Sequence, residues 1–99
     1  MYPDRVDENL TPILTHERIC PHFHLSVQSG SNDILKAMNR SYKRDAIFNA
    51  VNNLRKAKPN CFIACDIIAG FPGETEENFQ ETMDLCNTCD FTWIHAFPF

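Results

Sequence analysis

The most constraining feature of the chain is the stretch Cys61-Phe62-Ile63-Ala64-Cys65-Asp66-Ile67-Ile68-Ala69, apolar throughout except for Asp66. A strand with one face in water alternates apolar and polar residues. A strand covered on both faces reads as a nearly unbroken apolar run, and such strands belong to parallel sheets. Gly70-Phe71-Pro72-Gly73 ends the run. Parallel neighbours are joined by long crossovers, usually helices, so a helix is expected on each side.

Both flanks carry one. From Lys43 to Lys58 the apolar residues Ala46, Ile47, Ala50, Val51 and Leu54 trace one face of an amphipathic helix. Pro59-Asn60 stops it. Downstream, Thr75 is a suitable N-cap, and Glu76 and Glu77 favour the helix start through the macrodipole. With the acids at 76 and 77, Thr75-x-x-Asn78 is expected to fall short of a capping box. This helix is expected to reach about Asn87, with Phe79, Met83 and Cys86 on one face.

Phe23 to Val27 alternates with period two and reads as a strand. Gln28-Ser29-Gly30-Ser31 ends it, and Ser31 is a plausible cap for a short helix to about Met38. Phe91 to Phe97 reads as a third strand. Asp7 to Glu17 reads as a short, weak helix with Pro12 near its first turn. The expected fold over residues 1–99 is therefore α/β, built of parallel β/α units, with Cys61–Ala69 central and right-handed crossovers. Three strands cannot close a barrel, since an eight-strand barrel takes about 250 residues. The chain either forms a small sheet or is cut from something larger. The cut is favoured, because Phe99 follows a strand with no closing helix. The open sheet edges are then expected to promote self-association.

In such a sheet the strand-to-helix loops share the carboxyl edge, where α/β enzymes place their sites. Gln28-Ser29-Gly30, Gly70-Phe71-Pro72-Gly73-Glu74 and Phe97-Pro98 would share that rim. Asp66 is the most informative single residue. A carboxylate in an apolar strand is costly unless paired or hydrogen-bonded. It is read either as bonded to a neighbouring loop or as a ligand contact near the rim. Gly70 permits close backbone approach. Gln28, Ser29 and Ser31, beside Gly30, suit a polar uncharged ligand such as a ribose or amino-acid part, and equally a plain turn with a cap. No catalytic residue and no metal ligand is assigned.

Five cysteines, at 20, 61, 65, 86 and 89, make a poor disulfide framework, and buried free thiols are expected. Cys61 and Cys65 would lie about 13 Å apart on a strand, too far to share a metal. Cys86-x-x-Cys89 has no partner pair elsewhere. His22, His24 and His95 read as rim or core residues without a ligand role. The net charge of −4 is uneven: residues 36–58 carry +6 and the remainder −10. A basic stretch can meet phosphate, or can be a solvated helix face. No apolar run approaches the roughly 20 residues of a membrane span, and no signal segment opens the chain. A cytoplasmic location is expected.

Several motifs, in order, resemble the tRNA methylthiotransferases of the radical S-adenosylmethionine (SAM) class. His24-Leu25-Ser26-Val27-Gln28-Ser29-Gly30-Ser31, with Ile34-Leu35-Lys36-Ala37-Met38-Asn39-Arg40, resembles their fourth barrel strand and helix. Asp66-Ile67-Ile68-Ala69-Gly70-Phe71-Pro72-Gly73-Glu74-Thr75-Glu76, with Phe79, resembles their fifth strand and its loop. Trp93-Ile94-His95-Ala96-Phe97-Pro98-Phe99 is similar to their sixth, in wording nearest the branch that modifies threonylcarbamoyladenosine. The resemblance implies that residues 1–99 are the C-terminal part of a radical SAM barrel, a partial TIM-like barrel of about three strands. It implies a parent enzyme that methylthiolates adenosine next to the tRNA anticodon. In such enzymes a 4Fe–4S cluster cleaves SAM, and a second cluster and a second SAM supply sulfur and methyl. Gln28, Ser29, Gly30, Asp66 and Gly70 are then the expected SAM-binding positions. The cluster motif C-x-x-x-C-x-x-C does not occur, since Ile68 stands where the third cysteine would follow Cys61 and Cys65. Lys43 also stands where a capping Thr is usual. This chain alone is therefore expected to hold no cluster and to be inactive. A non-catalytic α/β ligand-binding module and a radical SAM methylthiotransferase acting on a ribosomal protein are the alternatives.

Overall fold

A computed structural model of the chain describes residues 1–7 and 9–99. After a 3-10 turn at Pro3–Arg5, the elements are α1 (Thr11–Leu14), β1 (His22–Gln28), α2 (Asn32–Ala37), α3 (Arg44–Ala57), β2 (Phe62–Ala69), α4 (Glu76–Cys89) and β3 (Trp93–Pro98). The strands form one parallel sheet in the order β1-β2-β3. The apolar run is thus the central strand, as its composition requires.

One face of the sheet carries the core. Phe23, Leu25 and Val27 of β1 and Ile63, Cys65 and Ile67 of β2 pack with Ile47, Val51 and Leu54 of α3 and Leu85, Cys86 and Cys89 of α4. Both long helices join this single core, so the expected covering of β2 on both faces holds on one face only. On the other, Ala64 is buried but Asp66 and Ile68 are only half covered. β3 is exposed along its length. The outer edge of β1 carries one extra rung: the Met1 amino group donates to the His24 carbonyl (2.8 Å), and the Ser26 N–H donates to the Met1 carbonyl (2.8 Å).

Four local expectations need correction. The Asp7–Glu17 helix is helical only at Thr11–Leu14 among the described residues, and Glu8 lies outside them. There the Asp7 carboxylate accepts the Asn9 and Leu10 N–H groups (3.0 and 3.1 Å), a local turn that competes with helix. Ser31 occupies the N-cap position of α2 without capping it; its hydroxyl accepts from Asn78 Nδ2 instead (3.1 Å). α4 does have a capping box, with an amide in place of the acid: the Thr75 N–H donates to Asn78 Oδ1 (3.0 Å), and the Asn78 N–H donates to Thr75 Oγ1 (3.1 Å). Phe79 and Met83 share a face, but it is the outer one, and they are 46% and 40% exposed. The buried positions of α4 are Asn78, Thr82, Leu85, Cys86 and Cys89.

The connection from α2 to α3 is anchored by Tyr42. Its hydroxyl lies 2.6 and 2.9 Å from the Ser26 and Val27 carbonyls, to which it donates. Burial pushes the phenol up to about 12, so it remains a donor across the physiological range. The N-terminal segment is tied to α3 by Asn53 Nδ2, which donates to the Val6 carbonyl (3.0 Å).

Candidate functional site

Parallel register aligns the open face of the sheet in rows. His24 is opposite Ala64 and Ala64 opposite Trp93; Asp66 is opposite His95, and Ile68 opposite Phe97. Asp66 stands two residues beyond the partner of His24, the diagonal spacing across which long side chains meet. The small Ala64 leaves that path clear. His24 Nε2 lies 2.8 Å from Asp66 Oδ2. The partner that makes Asp66 tolerable in β2 is therefore a histidine on the neighbouring strand and not a loop. Nε2 is the donor and the Asp66 carboxylate the acceptor. The rings of His24, Trp93 and Phe97 stand 6.3, 6.0 and 5.8 Å from that of His95.

Toward the carboxyl edge this face opens into a concavity of about 440 Å³, lined by Gln28, Asp66, Ile68, Phe97, Pro98 and Phe99. That volume lies in the range of small-molecule sites. An amide and a carboxylate there face an apolar wall. A larger concavity of about 650 Å³ lies between the Pro3–Asp7 segment and the asparagines of α3. It contains none of the rim residues.

The five positions singled out from sequence separate into three groups. Gln28 and Asp66 line the concavity together. Gln28 has a left-handed backbone (φ 71°), uncommon outside glycine, at the point where the β1–β2 register shifts. Gly70 also has positive φ (76°), and the space where a Cβ would stand is open. Its N–H donates to Glu74 Oε1 (3.0 Å). Ser29 and Gly30 do not line the concavity; they face α4. Ser29 Oγ is 3.2 Å from Thr82 Oγ1, and the Gly30 N–H donates to Thr82 Oγ1 (2.9 Å). A Cβ on Gly30 would stand 2.6 Å from Thr82 Cα.

The sequence carries no signal of the His24–Asp66 contact, nor of the contacts that Thr82 and Asn78 of α4 make with the Ser29–Ser31 turn. The alternation of β1 puts His24 on the face opposite Phe23 and Leu25, but only the register shows that it meets Asp66.

The cysteines form no centre. Cys65, Cys86 and Cys89 lie in the core between β2 and α4. A hydrogen bond with Cys86, together with burial, pushes the Cys65 thiol up, and burial pushes Cys89 up to about 11. Such thiols are poor nucleophiles and poor metal ligands. Among the described residues no three His, Cys, Asp or Glu side chains converge on a metal position. The basic stretch is partly spoken for. Arg44 bridges to Glu81 (3.3 Å), Arg55 donates to the Asp90 carbonyl (2.9 Å) and Lys58 to the His16 carbonyl (2.8 Å). No helix among the described residues is long and apolar enough to cross a membrane.

Residues 3–86 match the family described as the Radical SAM superfamily. The chain is 50% identical over 99 residues to the threonylcarbamoyladenosine tRNA methylthiotransferase MtaB of Treponema pallidum, covering all of this chain and 20% of that protein. It is 45% identical over 93 residues to the same-named protein of Thermotoga maritima, covering 94% of this chain and 21% of that one. It is 46% identical over 99 residues to the tRNA-2-methylthio-N(6)-dimethylallyladenosine synthase of Natranaerobius thermophilus, covering 99% of this chain and 22% of that protein. The chain thus spans about a fifth of the length of the curated relatives it matches.

Proposed function

Because the chain belongs to the Radical SAM superfamily, we propose that its open sheet face is part of the SAM site of a larger tRNA methylthiotransferase. In that reading residues 1–99 form the C-terminal part of the barrel sheet, and the remaining strands come from elsewhere in the parent. The observation that carries the reading is the meeting of Gln28 and Asp66 on one concavity at the carboxyl edge, opposite Ile68, Phe97 and Phe99. The carboxylate accepts hydrogen bonds from ligand hydroxyl or ammonium groups. The Gln28 amide both donates and accepts. The apolar wall covers a flat base and keeps water from it. Gly70 lets a ligand approach the main chain without meeting a side chain. His24 holds the Asp66 carboxylate in place through the 2.8 Å contact. SAM, once bound, supplies the radical chemistry and the methyl group.

The named activities of the relatives point to tRNA as the parent's substrate. The MtaB wording of the third strand points to a threonylcarbamoyladenosine next to the anticodon, and such an enzyme would work in the cytoplasm. Three cluster-binding cysteines would come from the parent outside this chain, since the five here do not have the C-x-x-x-C-x-x-C spacing. The isolated chain, reconstituted anaerobically with iron and sulfide, is therefore expected to bind no stoichiometric 4Fe–4S cluster, whereas the parent does. Absorption and paramagnetic resonance spectra check this. A SAM-responsive cluster signal from residues 1–99 alone would refute it.

A further inference from the structure

We infer that Thr82, assisted by Asn78, is a positioning residue for the SAM site, acting through the Gln28–Ser31 turn; this rests on the reading of Gln28 as a SAM contact. Thr82 and Asn78 occupy buried positions of α4, 2% and 8% exposed, where an amphipathic helix ordinarily carries apolar side chains. Both are spent on the turn. The Ser31 N–H donates to Ser29 Oγ (3.1 Å), and Ser29 Oγ lies 3.2 Å from Thr82 Oγ1. Thr82 Oγ1 accepts the Gly30 N–H (2.9 Å) and donates to the Asn78 carbonyl (3.3 Å). Asn78 Nδ2 donates to Ser31 Oγ (3.1 Å), while Asn78 Oδ1 holds the start of its own helix at the Thr75 N–H. Each hydrogen is used once when Ser29 donates to Thr82.

Ser29 and Ser31 are fully buried. Their polar atoms and the Gly30 N–H have no water to turn to, so leaving one unpaired is costly. That cost fixes the turn against α4. Directly before it, Gln28 is held at φ 71°, a conformation that a free chain seldom takes. The Gln28 side chain lines the concavity beside Asp66. A helix on one face of the sheet thus sets the position of a side chain on the other face, through a turn whose donors it satisfies.

Thr82→Val keeps the shape and removes the hydroxyl. It leaves the Gly30 N–H and the Ser29 hydroxyl without their partner. In the cluster-loaded parent, equilibrium dialysis with labelled SAM is expected to show about three- to tenfold weaker binding, the scale of one buried hydrogen bond. Thr82→Ser should restore wild-type affinity. Hydrogen exchange at the amides of residues 29–31, measured without SAM, should rise in Thr82→Val and not in Thr82→Ser. Leu54→Ala is the stability control: Leu54 is fully buried near the end of α3, beside Cys61 at the opposite end of the sheet from the turn. It should lower thermal stability and leave SAM affinity at the wild-type level. Gln28→Ala tests the underlying reading and should weaken SAM binding at least as much as Thr82→Val. If Gln28→Ala weakens binding while Thr82→Val does not, the positioning role is wrong. It is equally wrong if Thr82→Ser fails to rescue, or if Leu54→Ala weakens binding as much as Thr82→Val. If Gln28→Ala leaves SAM affinity unchanged, the site reading falls and takes the positioning role with it.

Discussion

Gly30→Ala is expected to destabilise the parent protein by about 3 kcal/mol or more, at the upper end of what overpacking a filled interior costs. The added Cβ would stand 2.6 Å from Thr82 Cα, 3.0 Å from the Glu81 carbonyl oxygen and 3.0 Å from Leu85 Cβ. Two of those three atoms are backbone, so no side-chain rotation relieves the clash. Either α4 moves off the turn or the turn leaves α4, and both break the Gly30–Thr82 hydrogen bond. Gly70→Ala provides the contrast. It has open space at the Cβ position and a φ of 76°, so only the backbone term applies, about 1–2 kcal/mol. Thermal unfolding of the two variants beside wild type checks the difference. A Gly30→Ala protein that melts with wild type would mean that α4 does not sit against the turn.

Asp66→Ala in the parent is expected to weaken SAM binding roughly ten- to hundredfold. Losing a hydrogen bond to a charged group costs about 1.5–3 kcal/mol, and each 1.4 kcal/mol is a factor of ten in affinity. The cost to folding should be small by comparison. His24, the partner left behind, has a side chain 44% exposed, so water replaces the carboxylate, and ion pairs open to solvent contribute at most about 1 kcal/mol. Dialysis with labelled SAM and a thermal melt of the same preparation separate the two effects. A steep loss of melting temperature with unchanged SAM affinity would make Asp66 a structural residue whose role ends at His24.

How far the sequence carries can be followed residue by residue. The unbroken run in β2 and the apolar spacing of α3 are strong signals because burial selects residue type directly, and the strand order followed from them. The wrong face of α4 has a physical cause. Phe79, Met83 and Cys86 have helical spacing, so hydrophobicity alone places all three inside, but only Cys86 is buried. The true inner face carries Asn78 and Thr82, which are buried because a loop far away in sequence presents unpaired N–H and O–H groups there. Nothing local in residues 76–89 reveals that demand. The capping box was missed for a related reason: an asparagine amide does the work usually looked for in a glutamate. Asp66 was legible as an anomaly from its apolar surroundings, but its partner was not. His24 lies 42 positions away in sequence, and the pair depends on the register His24↔Ala64, which hydrophobic pattern does not specify in a parallel sheet. Gln28 and Gly70 stand at the carboxyl edge, where the strand-to-helix loops of such a sheet are expected to lie. The same rule could not tell that Ser29 and Gly30 turn toward α4.

In the proposed site SAM lies against the open face of β1, β2 and β3 at their carboxyl ends. Photolabelling tests it most directly. The cluster-loaded parent would be irradiated with an azido-adenine analogue of SAM, digested, and the labelled peptides sequenced, with excess SAM as competitor. SAM-protectable label is expected on peptides that contain Gln28, Ile68–Gly70 or Phe97–Phe99. Protectable label confined to α3 or to peptides outside residues 22–99 would contradict it.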